Sequence, residues 1–162
     1  MTVDTAKVEG RRTLHFTSLD EILAEVERLN QGKVRAIGNW SPGQVLKHLT
    51  VPMTWCLDGT ALRSPFFLRI VLWFLKNRFL RSPMRSGFKM SDEFAKHLVP
   101  GATTWEEGLH AIRAAIARMK SESQRHPSPF LGVLTREQWD QLHCRHSELH
   151  LSFLISDLAT EQ

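Results

Sequence analysis

Four times along this chain a serine or threonine is followed three residues later by glutamate or glutamine, just ahead of an apolar run. The four are Ser18-Leu-Asp-Glu21, Ser41-Pro-Gly-Gln44, Thr104-Trp-Glu-Glu107 and Thr135-Arg-Glu-Gln138. In that pattern the hydroxyl accepts from a backbone N–H of the first helical turn. The longer side chain reaches back to the N–H of the cap, so orphan donors are satisfied locally. Behind the first start come Ile22, Leu23, Val26 and Leu29, and behind the second Val45, Leu46 and Leu49. Leu109, Ile112, Ala115, Ile116 and Met119 follow the third, and Trp139, Leu142, His146, Leu149, His150 and Phe153 the fourth. Each set recurs at the spacing of one helix face. Asn30 and Gly32 close the first helix, and Pro42 stands at the first helical position of the second. Pro52 falls inside that second helix and is expected to kink it or end it early.

Between the second and third starts, Ser64-Pro65 opens a stretch dense in apolar residues, Phe66 to Leu75. Arg69 and Lys76 interrupt it, and a membrane span needs about 20 apolar residues, so it reads as a buried or interfacial helix. Residues 82–101 contain Pro83, Gly87, Pro100 and Gly101 and read as a long crossover loop. No run of strictly alternating apolar residues stands out; Thr13 to Thr17 is the nearest candidate for a short edge strand. The expectation is an all-α fold. It has four principal helices, one long crossover and an extra helical insertion between the second and third, an arrangement compatible with a bundle. With 162 residues the chain is expected to form a single domain over 1–162, with 1–12 a loose N-terminus.

The two cysteines, Cys56 and Cys144, are too far apart in sequence for a cysteine-rich metal module. They fit a reducing compartment, and without a recognisable targeting signal the cytoplasm is the default expectation. Charge is uneven. Between Gly59 and Ser91 lie seven basic residues, Arg63, Arg69, Lys76, Arg78, Arg81, Arg85 and Lys89, and no acidic one. The remainder has 14 basic residues against 17 acidic. A local patch of this kind favours an anionic ligand, a phospholipid surface or an acidic partner over nucleic acid.

Histidines are the chain's chemical signal. His143, His146 and His150 share the last helix. His146 and His150 lie about 40° apart in projection and one turn apart in height, so both imidazoles can reach one ion. His143 and His150 are separated by about 10.5 Å of rise, too far for one ion on a regular helix. Spacing therefore allows His146 with His150, or His143 with His146, plus a ligand from elsewhere. Metal ligands in a bundle come from facing helices, and the second helix offers His48 among Val45, Leu46 and Leu49. Three nitrogens of this kind leave coordination positions free, as in a catalytic rather than a structural site. Glu107-x-x-His110 has the spacing of di-iron bundles but lacks a second copy. Glu148, between the paired histidines, is expected to face outward, and the five tryptophans to form core or pocket walls.

Two segments resemble the DinB/YfiT-like superfamily, in a domain-of-unknown-function branch. Asn39-Trp-Ser-Pro-Gly-Gln-Val-Leu-Lys-His48-Leu49 resembles its W-S-x-G-x-x-L-x-H segment, and His146-Ser-Glu-Leu-His150 its H-x-x-x-H segment. The likeness runs roughly from Ser18 to Leu154. It implies a four-helix bundle, often dimeric, with one divalent metal (zinc, nickel, iron or manganese) held by His48, His146 and His150; it assigns no role to His143, which stands as a substitute ligand on spacing alone. Leu151-Ser152-Phe153 departs from the polar residues common after the second histidine. Relatives of that superfamily include transferases using a low-molecular-weight thiol such as glutathione, bacillithiol or mycothiol. The basic segment suits the carboxylates of such a small, anionic substrate, which makes Arg81 and Arg85 candidate cofactor-binding residues, with Gln44 a candidate partner to His48 beside its capping role. A metal-dependent hydrolase is one alternative. The other is a non-catalytic module using the basic apolar segment 64–89 against a partner or membrane surface.

Overall fold

The computed structural model describes residues 2–87 and 91–157. These residues are mostly helical. In chain order they form α1 (Leu19–Leu29), β1 (Val34–Ala36), α2 (Pro42–Asp58), α3 (Phe66–Arg81), α4 (Asp92–Leu98), α5 (Trp105–Ser121), α6 (Arg136–Leu151) and β2 (Leu154–Ser156). Lys89 lies outside the described residues. All four expected caps are in place: Ser18, Ser41, Thr104 and Thr135 accept from the N–H groups of Glu21, Gln44, Glu107 and Gln138. Three are reciprocal boxes. At Ser18, the Glu21 carboxylate instead takes the N–H and hydroxyl of Thr17, both at 2.7 Å.

The core lies where α2 packs against α5, with α1 and α6 closing over it. Ile22, Val26, Leu46, Leu49, Met53, Ile112, Ile116, Met119 and Trp139 are buried there. Two glycines set the closeness of the α2–α5 approach. A Cβ on Gly43 would stand 2.1 Å from the Thr104 carbonyl oxygen, and one on Gly108 would stand 2.6 Å from the Gly43 oxygen. Any side chain there would force the two backbones apart. The start of α2, and His48 two turns into it, is thereby held at fixed depth.

The structure corrects several expectations. A two-stranded antiparallel sheet joins β1 to β2, pairing Val34 with Ser156 and Ala36 with Leu154. Strands of three residues are too short to show alternation, which is why the pattern pointed to residues 13–17 instead; those form no strand. The last helix ends at Leu151 rather than continuing through Phe153, and the chain turns at once into β2. Pro52 does not end α2, which runs to Asp58; it withholds the donor that the His48 carbonyl would ordinarily receive. The crossover is not all loop, since α4 forms within it and buries Phe94 and Leu98. Nor are residues 1–12 loose throughout. Asn39 brackets Val3 with two hydrogen bonds, and Arg12 is tied to Ser152, Leu151 and Glu25. Leu14 and Phe16 pack on the core and draw this segment in.

Helix α3 excludes one of the two readings of its sequence, buried or interfacial. It is not buried: Phe66 is 75% exposed, Phe74 74% and Trp73 60%, so Trp73 is no core wall. Only Leu80 of this helix is buried, with Leu72 packed at the edge of the core. No helix among the described residues is long and apolar enough to cross a membrane.

Candidate metal centre

His48 is carried by the middle of α2, and His146 and His150 by the last turns of α6. One nitrogen from each ring lies within 4.8 Å of the other two. The ring centroids are 4.9 Å apart for His48–His146, 4.4 Å for His48–His150 and 4.6 Å for His146–His150. His48 Nδ1 lies 2.7 Å from the carbonyl oxygen of Leu98 and must donate to it, because a carbonyl only accepts. Nδ1 therefore holds the proton, and the Nε2 lone pair is left facing the cluster. That Nε2 is 3.1 Å from His146 Nε2. Two ligand nitrogens sharing a tetrahedral ion at 2.0–2.1 Å would be about 3.3 Å apart. The His48–His146 pair stands close to that separation.

All three imidazoles are held neutral. Burial pushes His146 well below its usual range, helped by the neighbouring His150, His48 and His143. His150 is lowered by burial, then by His48 and the Arg11 guanidinium, and His48 by burial against the opposing Leu98 hydrogen bond. A neutral imidazole is the form that ligates a metal. His48 is buried, and His146 and His150 are partly exposed. Three nitrogen donors with no carboxylate or thiolate suit a borderline divalent ion and leave positions for a further ligand.

The surroundings follow from the fold. The β1–β2 ladder brings the segment after β1 against the end of α6, and Gly38 lies so close that a Cβ would stand 3.1 Å from Phe153 Cδ1. Two residues on, Trp40 stacks on His150 with centroids 5.5 Å apart and 12° between planes, and leans on His48 at 4.6 Å. Arg11 donates to Ser152 Oγ at 2.9 Å and to Ser86 Oγ at 2.9 Å, and lies over the Phe153 ring at 4.2 Å. Trp40 was legible as a pocket wall. Arg11 and the Leu98 carbonyl were missed, because both lie in segments whose sequence reads as irregular. The apolar Leu14 and Phe16 were the one signal that the Arg11 segment docks.

The other candidates lie elsewhere. His143 is 1% exposed and outside the cluster, with its ring stacked on Trp139 at 5.3 Å and 16°. Neither of its nitrogens has a hydrogen-bond partner among the described residues, and burial, with Arg125, pushes it down to about 3. The three clustered nitrogens come from His48, His146 and His150, without His143. Gln44 is used as a cap: its Oε1 accepts from Ser41 N–H and its Nε2 donates to the Pro100 carbonyl at 3.0 Å. Arg81 and Arg85 are exposed and make no hydrogen bond or ion pair among the described residues. Arg85 does adjoin Ser86, to which Arg11 donates. Glu148 faces inward, not out. It accepts from Phe16 N–H at 2.6 Å and pairs with the buried Arg145, because the Arg12–Phe16 segment lies across that side of α6. Glu107 caps α5 and His110 is exposed, so the pair builds no di-iron site. Both cysteine thiols are buried and pushed up to about 12, which leaves them inert.

A family model described as "Protein of unknown function (DUF1569)" matches residues 8–157. No curated protein and no solved structure matches the chain.

Proposed function

We propose that this chain, which belongs to the DUF1569 family of proteins of unknown function, holds one divalent metal ion through His48, His146 and His150 and uses it to activate a small nucleophile. The observation carrying this reading is the convergence of three imidazole nitrogens, from helices α2 and α6, within 4.8 Å. A divalent ion at that point supplies Lewis acidity, which makes a thiol or water sharing it far more acidic. The chain's own residues prepare the position. The Leu98 carbonyl holds the His48 proton on Nδ1, so that Nε2 stays a donor. Trp40 covers one flank of His150 against water, and Arg11 adds positive charge beside the same ring.

A low-molecular-weight thiol is the favoured co-substrate, with Arg11 supplying a cation toward its carboxylates. In this reading α1, α2, α5 and α6 are the four helices of a DinB/YfiT-like bundle, and α3 and α4 its insertion. The sequence likeness around His48 and His146 supports that assignment, as does the three-nitrogen geometry.

Two measurements test the reading in turn. Elemental analysis of the purified chain should find about one divalent ion per molecule. Conjugation of a model electrophile to glutathione, bacillithiol or mycothiol should then be faster with metal-loaded protein, and the acceleration should vanish on chelation. Equal rates with and without protein across all three thiols would contradict the transferase assignment. A chain that takes up no zinc, nickel, iron or manganese would contradict the metal centre itself.

A further inference from the structure

We propose that α3 is an interfacial helix that docks this protein flat onto a phospholipid surface bearing anionic headgroups. Its hydropathy is inverted relative to a surface helix. Phe66, Phe67, Ile70, Val71, Trp73, Phe74, Leu75 and Phe79 are all exposed, while Leu68, Arg69, Leu72, Lys76 and Leu80 occupy the side turned toward the protein. The outward apolar face is continuous over the first three turns, larger than the scattered apolar residues normal on a monomer. Phe and Trp on such a face, with cations beside it, are the composition of an interfacial helix.

Charge identifies the occupant. Arg78 and Arg81 are exposed at the C-terminal end of α3, Arg85 follows, and Arg63 precedes the helix. From Gly59 to Ser91 there is no acidic residue, whereas the rest of the chain carries 17 acidic against 14 basic residues. An anionic surface therefore attracts this face and repels the rest, which fixes the orientation. A second copy packed α3 on α3 would bring no counter-charge to this face and would desolvate guanidiniums without partners. With 16 residues α3 is about 24 Å long, short of the roughly 30 Å hydrocarbon core, so it lies in the interface and does not span.

The test is flotation of the full chain with vesicles of phosphatidylglycerol and phosphatidylcholine mixed, or of phosphatidylcholine alone, at low salt. The chain should float with the mixed vesicles, far less with phosphatidylcholine, and be released as salt is raised. Arg78→Gln/Arg81→Gln/Arg85→Gln should weaken binding to the mixed vesicles on the order of a hundredfold. Phe67→Ser/Phe74→Ser should abolish it. These side chains are exposed, so both variants should keep the helical circular dichroism of the parent, and metal content should not change. Failure to float with the mixed vesicles at low salt would overturn the proposal. So would flotation unaltered by both variants. A dimer that forms without vesicle binding and dissociates in Phe67→Ser/Phe74→Ser would likewise overturn it, in favour of self-association.

Discussion

Helices α6 and α3 exchange the places their compositions would suggest. α6, Arg136–Leu151, is rich in charge and imidazole, yet it buries His143, Arg145, Ser147 and Glu148 and turns His146 and His150 toward α2. α3, Phe66–Arg81, is one of the most apolar stretches of the chain, yet it buries Leu80 alone. Hydrophobic burial is the main favourable term in folding, so neither placement is what that term selects. Polar groups taken out of water must be paired or given other work, and an apolar face left in water costs stability that a partner surface can restore. The lesson is that both inversions point to chemistry outside the chain. α6 points to a cation and α3 to an apolar, anionic surface.

Substitutions sharpen the contrast by their size. The largest loss of stability is expected where α6 hides its ion pair. Glu148→Ala leaves the Arg145 guanidinium buried beside the Phe16 carbonyl and strips the Phe16 N–H of its acceptor. Urea unfolding should register a loss of about 3–5 kcal/mol, and a loss under about 1 kcal/mol would mean that Glu148 is solvated after all. Next comes His143. Its folded value of about 3 lies below the ordinary histidine range, so between those two pH values the unfolded chain takes up a proton that the folded chain refuses. Its contribution is present above pH ~6.5 and is lost at about 1.4 kcal/mol per unit as pH falls toward 3. His143→Phe removes that loss and should retain about 2 kcal/mol more stability than the parent at pH ~5, relative to each protein's value at neutral pH. Identical pH dependence in the two proteins would break the assignment of His143 as a sealed, neutral ring. The smallest effect belongs to α3, where Phe66→Ser or Phe74→Ser should change unfolding free energy by no more than about 0.5 kcal/mol. A cost of several kcal/mol there would mean that the face is covered within the chain.

Helix starts were legible because a cap is a local device: Ser41 and Gln44, or Thr135 and Gln138, need nothing beyond their own turn. The apolar stripe of α5 was legible for the same reason, since period alone names its buried face. The convergence of His48 with His146 and His150 could be anticipated from spacing and likeness, though not the Leu98 hydrogen bond that orients His48. That bond depends on α4, whose seven residues carry too little pattern to stand out from a loop. Glu148 was misread for a reason outside its own helix. Which side of α6 meets the N-terminal segment is decided by a contact 132 residues away in sequence, the Phe16–Glu148 hydrogen bond. Helical periodicity carries no information about such a contact. For α3 the sequence left burial and an interfacial position both open, because an apolar run looks the same whether it faces a core or a lipid surface.

The central claim is that three imidazoles from α2 and α6 share one ion while a fourth, His143, on the same helix, does not. Zinc titration against a chromophoric chelator tests it most directly, comparing the parent with His48→Ala, His146→Ala, His150→Ala and His143→Phe. One tight site is expected in the parent and in His143→Phe, with affinity lowered at least about a hundredfold in each of the other three. Equal zinc affinity in His48→Ala and the parent would contradict it.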